Sequence, residues 1–139
     1  MIRKIMPNVV SGQNLLSLQA DATVQEAAAA MTERNIHAAL VVEGDQLVGL
    51  FTGTDLIQKV VAEGLLPDQT VLRRVMTLDP QTVTPETDAL EALHMMQDGN
   101  FRHLPVLEDG KPIGIVSRQD FLKFEIDELE RQEKLWEEM

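Results

Sequence analysis

The 139-residue sequence has no cysteine, no tyrosine and a single tryptophan, and aromatic residues make up only 4% of it. Without thiols there is no disulfide framework, no thiolate metal site and no cysteine nucleophile. With so few rings, the core has to be aliphatic, built from Val, Leu, Ile, Ala and Met. Positive charge is also scarce: 12 basic residues face 23 acidic ones, for a formal net charge of −11. Such a chain offers no general field to a phosphate backbone, which argues against nucleic acid as a partner. No apolar run approaches the roughly 18 residues of a membrane span. The start, Met1-Ile2-Arg3-Lys4-Ile5-Met6-Pro7, lacks the apolar stretch of a secretory signal. The expectation is a cytoplasmic protein that does not engage membranes. His37, His94 and His103 show no metal-ligand spacing, so no metal site is expected. Gly-x-x-x-x-Gly-Lys, Gly-x-Ser-x-Gly and Gly-x-Gly-x-x-Gly are absent. No nucleophile stands beside a base, and catalysis is not expected.

What is present points to a globular chain, 44% apolar and 25% charged, long enough for one compact unit or two very small ones. The acidity is uneven. Residues 125–139 hold seven acids against Arg131 and Lys134, a net −5, so the tail is a segment of its own. The rest contains an internal repeat. A shift of 65 residues places Glu26-Ala27 on Glu91-Ala92, Met31 on Met96, Asn35 on Asn100, Val41 on Val106, Gly49 on Gly114 and Asp55 on Asp120, with no gap from residue 17 to 57. A shorter echo precedes each copy: Ile2-Arg3-Lys4-Ile5-Met6 resembles Leu72-Arg73-Arg74-Val75-Met76.

Both copies read alike. An extended piece (15–18 or 81–84) precedes a helix with Val24, Ala27, Ala28 and Met31, or Ala89, Leu90, Leu93 and Met96, at helical spacing. Thr87 or Asp88 is the cap candidate in the second copy. A hairpin follows: strands 38–42 and 47–51 around Glu43-Gly44-Asp45, and strands 104–107 and 113–116 around Glu108-Asp109-Gly110. A second helix then begins near Thr52 or Ser117. The predicted fold class is α/β (α+β): two β-α-β-β-α units packed around a pseudo-two-fold axis, plus an acidic C-terminal helix. The predicted segments are 1–70, 71–124 and 125–139.

The chemically informative string is apolar-Gly-x-x-Thr/Ser-x-x-Asp at a strand-to-helix turn. It occurs as Val48-Gly49-Leu50-Phe51-Thr52-Gly53-Thr54-Asp55 and as Ile113-Gly114-Ile115-Val116-Ser117-Arg118-Gln119-Asp120. The hydroxyl sits where free N–H groups and the positive end of the helix dipole favour an anion such as phosphate. The Asp one turn on accepts hydrogen bonds only, and suits a vicinal diol such as ribose. The same pattern is also close to a capping box, whose whole task is to start a helix. Its duplication in register favours a phosphoribosyl reader. Duplication equally argues against an acid/base pair, which needs two carboxylates in unlike roles.

These turns, with Arg102-His103-Leu104-Pro105-Val106, Thr82-Val83-Thr84-Pro85 and Arg73-Arg74-Val75-Met76-Thr77, give the chain over about residues 1–124 a resemblance to the tandem CBS-domain family, the Bateman modules. The resemblance implies a regulatory sensor for an adenosyl ligand: AMP, ADP or ATP, in some members NAD or S-adenosylmethionine. It implies a cleft between repeats and pairing into a homodimer. Carried over, Ser117 meets phosphate, Asp120 holds the ribose diol, and His103 and Arg118 add charge, with Ile115 on the same strand. Leu16, Ile36, His37 and Ala38 border the base. The symmetric cleft would use Thr52 and Asp55 with Phe101 and Arg102. There Ala38 stands in place of His103 and Gly53 in place of Arg118, so weaker or no binding is expected. The adenine nucleotide would be a regulatory ligand rather than a required cofactor, and a regulated protein partner is possible. The alternative is a non-catalytic dimerisation or interaction protein with vestigial clefts.

Residues Phe121 to Trp136 carry good helix formers and a stripe of Leu122, Ile126, Leu129 and Trp136. One helix continuous with the second helix of the second copy is expected, with that stripe buried. His94 is expected to be structural or solvent-facing.

Overall fold

The computed structural model describes residues 2–138; residues 1 and 139, at the ends of the expected first and last segments, lie outside them. The first repeat contains β1 (Ser17–Gln19), α1 (Val24–Glu33), β2 (Ala38–Glu43) and β3 (Gln46–Thr52). Helix α1 starts at Thr23, whose hydroxyl accepts the Glu26 N–H at 3.1 Å and so satisfies one first-turn donor. Its Val24, Ala27 and Met31 recur at helical spacing and are buried. Past its end Asn35 takes φ 54°, and in the second repeat Asn100 takes φ 55°. A left-handed residue stops a helix, and Asn tolerates that conformation better than branched residues do. Strands β2 and β3 pair antiparallel with a register shift at Val41/Val42, and Gly44 takes φ +63° in the turn. Short helix α2 (Gly53–Asp55) continues through a π-helical stretch at Leu56–Val61.

A 3-10 turn (Pro67–Gln69) and α3 (Leu72–Val75) lead to β4 (Thr77–Leu78), a strand that the sequence reading did not foresee. It completes a four-stranded sheet in the order β1-β2-β3-β4, with β1 parallel to β2. The second repeat has α4 (Ala89–Gly99) and a hairpin of β5 (His103–Glu108) and β6 (Lys111–Ser117). Val83 bridges parallel to Val106, in the role that β1 plays in the first repeat. The N-cap of α4 is Asp88, whose side chain pairs with Lys4 at 2.5 Å and not with the helix.

The chain forms two compact units, each drawn from more than one stretch of sequence. One comprises residues 2–13, 82–108 and 113–138; the other comprises 14–81 and 109–112. The lead-in therefore packs with the second repeat. Ile5 donates its N–H to Thr87 O at 2.8 Å, Met6 to Pro85 O at 3.0 Å, and Arg3 O accepts from Ala89 at 2.8 Å. Ile5 is fully buried with Leu93, Met96, Leu104, Val106 and Leu129. That burial contributes about 1.5–3 kcal/mol toward holding the lead-in. The other unit has its own core around Leu16, Val24, Phe51, Val60 and Leu72. There Leu72 and Arg73 donate to Ala22 O and Ala20 O at 2.8 and 3.0 Å.

The tail departs from expectation. Ser117 leads into a 3-10 turn (Arg118–Asp120), after which Phe121 (φ −88°, ψ 151°) and Leu122 (φ −82°, ψ 155°) are extended. Helix α5 (Lys123–Glu137) is thus a separate helix rather than a continuation. Of the predicted stripe, Leu129 is buried and Ile126 partly so, while Leu122 (44%) and Trp136 (75%) are exposed. The position that turns inward instead is Glu125, which is 3% exposed. Its carboxylate accepts the Leu122 N–H at 2.8 Å and restarts the helix. It also takes two bonds from the Arg3 guanidinium, Nη2 at 2.7 Å and Nε at 3.0 Å. His94 Nε2 pairs with Gln132 Oε1 of α5 at 2.7 Å.

Burial pushes the Glu125 carboxyl up, but the Arg3 guanidinium and the Leu122 N–H outweigh it and hold the pKa below its ordinary 4.5. A carboxyl depressed on folding adds stability that is present above its unfolded value and is lost as pH falls through the folded one. Arg3→Met should therefore lower unfolding free energy near pH 7 by about 2–4 kcal/mol, since it strands a buried carboxylate. In urea titrations this deficit should shrink as pH drops below about 4.5 and the carboxyl protonates. A deficit independent of pH would show that the pair is not the cause.

Candidate functional site

The two strand-to-helix turns start alike. In the first, the Thr52 N–H donates to Asp55 Oδ2 at 3.0 Å, and the Asp55 N–H donates to Thr52 Oγ1 at 3.3 Å. In the second, the Ser117 N–H donates to Asp120 Oδ2 at 2.7 Å, with the hydroxyl at 3.2 Å from the same oxygen. Each turn is also tied to the entrance of its own hairpin: Gly53 N–H to His37 O, and Arg118 N–H to Arg102 O, both at 3.0 Å.

They differ at the outer carboxylate oxygen. Asp55 is 6% exposed. Its Oδ1 lies 3.0 Å from Lys59 Nζ and accepts the Thr77 hydroxyl at 3.3 Å. Asp120 is half-buried, and among the described residues its Oδ1 receives no hydrogen bond or ion pair. A carboxylate with one oxygen anchored and the other open can accept from an incoming hydroxyl pair. A carboxylate already paired with an ammonium and a hydroxyl cannot do so without giving those up.

The cause lies in what closes the edge of each hairpin. On β3, Gly49 and Leu50 pair with Leu78 and Thr77 of β4. A Cβ on Gly49 would fall 2.4 Å from Met76 Sδ and 3.0 Å from Thr77 O, so only glycine admits this segment without a shift. On β6, the equivalent Ile115 is met by one side chain: Gln13 Oε1 accepts its N–H at 2.9 Å, and Gln13 Nε2 donates to its carbonyl at 2.8 Å. A Cβ on Gly114 would fall 2.4 Å from Met6 Cε and 3.0 Å from Gln13 Oε1. Met6 and Met76 thus lie over equivalent glycines, as the sequence echo places them. The next residue in the echo is Thr77 in one segment and Pro7 in the other. Proline has no hydroxyl to offer. Likewise Lys59 sits one helical turn beyond Asp55, whereas Asp120 is followed by the extended Phe121–Leu122 and by Phe124 at the matching place.

The remaining expected site residues fall into two sets. Ser117, Arg118, Asp120, Ile115, Phe101, Arg102 and His103 belong to the unit of the second repeat. Arg102 is exposed, His103 half-buried, and Arg118 makes one long contact, 3.5 Å to Gln97 Oε1. Leu16, Ile36, His37, Ala38, Thr52 and Asp55 belong to the other unit. Leu16 and Ala38 are buried, Ile36 is half-buried and His37 is exposed. Gln13, Lys59 and Thr77 were not foreseen. The echo before each copy and the four-residue step from Asp55 to Lys59 are the signals that point to them. Among the described residues, no helix is long and apolar enough to cross a membrane.

The family model for the CBS domain matches residues 3–62 and 72–127. The chain is 40% identical over 124 residues to a CBS domain-containing protein of Arabidopsis thaliana, covering 88% of this chain and 22% of that one. It is 34% identical over 126 residues to an uncharacterized protein of Methanopyrus kandleri, covering 89% and 64%. It thus spans 18–23% of the length of the first three plant relatives. A CBS-domain containing protein from Agrobacterium tumefaciens superposes with a TM-score of 0.73 at 29% identity, covering 79% and 83%. A CBS domain protein of Pyrobaculum aerophilum complexed with AMP superposes with a TM-score of 0.78 at 22% identity, covering 88% and 95%.

Proposed function

The chain belongs to the CBS-domain family and carries two of its repeats, and on that premise we propose that it is a regulatory module for an adenosyl ligand of the AMP, ADP or ATP class. The observation that supports this reading best is the open Asp120 Oδ1 beside an anchored Oδ2. The geometry suits the two hydroxyls of a ribose. In this reading Ser117 opens the adjacent turn, and the Arg118 guanidinium beside it is the donor offered to a phosphate. Arg118 and Arg102 supply positive charge in a chain whose net charge is −11, and His103 is a further polar side chain of the same unit. Ile115, on the strand that leads into this turn, borders the base in this reading. The AMP held by the Pyrobaculum aerophilum protein supports the ligand class. The role is sensing rather than turnover: a ligand shifts a conformational equilibrium by its differential affinity for the two states.

Isothermal titration with AMP, ADP, ATP, NAD and S-adenosylmethionine tests this. At least one should bind, and Asp120→Ala should weaken it by about 1–3 kcal/mol, the range for lost charge-assisted hydrogen bonds. If no adenosyl compound binds, the module is an interaction protein with empty clefts instead.

We also propose a homodimer. Ile57 and Val61 after the first turn, and Leu122, Phe124, Leu135 and Trp136 on and beside α5, leave large apolar side chains exposed, and a two-fold interface is the commonest way to cover such surface. Sedimentation equilibrium at tens of micromolar chain should give twice the monomer mass, with and without nucleotide. A monomer under both conditions would contradict it.

A further inference from the structure

We infer that the Thr52–Asp55 turn is a closed structural joint rather than a second ligand site, and that Lys59 is the residue that closes it, so that the chain takes one nucleotide and not two. The count of nucleotides rests on the reading above; the joint itself does not.

The two turns are built on the same pattern, so the pattern alone predicts two equal sites. The partners of the carboxylates separate them. Both oxygens of Asp55 are engaged: Oδ2 by the Thr52 N–H and hydroxyl, Oδ1 by Lys59 and by Thr77. The carboxylate side chain is 8% exposed and the lysine 41%, so the ion pair covers the acid while the ammonium keeps contact with water. A ribose diol would have to displace an ammonium and a hydroxyl from a nearly buried acid and replace both with neutral donors, which is a net loss. In the other unit the anchoring half of the motif persists, and among the described residues nothing supplies the closing half. Position 124 is Phe and position 7 is Pro, and neither carries a donor for Asp120 Oδ1. The loop chemistry agrees, because Gly53 leaves the closed turn without the positive charge that Arg118 supplies to the open one.

Asparagine at either Asp position keeps an oxygen for the turn N–H and removes the charge. Thermal unfolding in nucleotide-free buffer therefore reads the joint directly. Asp55→Asn should lower Tm by at least about 3 °C, and Asp120→Asn by less than about 1 °C. Lys59→Met should follow Asp55→Asn in direction, while Lys59→Arg, which can reach the same carboxylate, should hold Tm within about 1 °C of the parent. Equal shifts for the two Asp→Asn variants, or no shift for Lys59→Met, would overturn the joint whatever the protein binds. Isothermal titration with whichever adenosyl compound binds the parent reads the count. One ligand per chain is expected, with affinity falling at least tenfold in Asp120→Asn and less than twofold in Asp55→Asn. Two ligands per chain, or a tenfold loss in Asp55→Asn, would overturn the inference while leaving the adenosyl reading intact. No binding by the parent at all would overturn the adenosyl reading, with the melting series still deciding the joint.

Discussion

Each hairpin in this chain leaves one strand edge unpaired beside a glycine, and the structure depends on what is laid along that edge. Unpaired backbone N–H and C=O groups at an edge have to be satisfied by something. In the first repeat a true strand does so, Thr77–Leu78 against Gly49 and Leu50. In the second, the side-chain amide of Gln13 imitates one peptide unit of such a strand on Ile115. Both closing segments come from outside the hairpin and helix they complete, and both place a methionine over the glycine. Fold and site are coupled through this closure, since the segment that finishes the sheet also decides what stands over the neighbouring carboxylate.

That coupling explains how a duplicated motif ends with unequal halves. A hydroxyl delivered with β4 and a lysine delivered by a continuous helix neutralise Asp55. A proline in the lead-in and the extended Phe121–Leu122, which interrupt the helix, leave Asp120 open among the described residues. The interruption has its own cause in the Arg3–Glu125 pair. Glu125 is held inward by the guanidinium and caps a new helix at Leu122. The lead-in therefore acts twice on the second repeat, closing the strand edge through Gln13 and seating α5 through Arg3.

Much of the architecture is legible in residue pattern alone. The repeat at a shift of 65, the hairpins, the helix-ending Asn35 and Asn100, and the capped turns at Thr52 and Ser117 all follow from local periodicity and turn chemistry. Two things are not local. Which repeat receives the lead-in depends on tertiary packing of Ile5 among residues such as Leu93 and Val106, and nothing in the lead-in's own sequence names that destination. The phase of α5 was misread because the inward position is a glutamate. An apolar-stripe argument assigns Glu125 to solvent, and only the distant Arg3 makes its burial affordable. Within the site, the motif points to both aspartates equally. The difference between them rests on Lys59, Thr77 and Pro7, which lie outside the motif.

The most direct measurement is a crystal structure of the full chain grown with the tightest-binding adenosyl compound. The account predicts ribose hydroxyls within about 3 Å of Asp120, the phosphate at the Ser117 turn, and Asp55 still paired with Lys59 and Thr77. Ribose density on Asp55, with Lys59 swung away from it, would contradict the claim that edge closure selects the open turn.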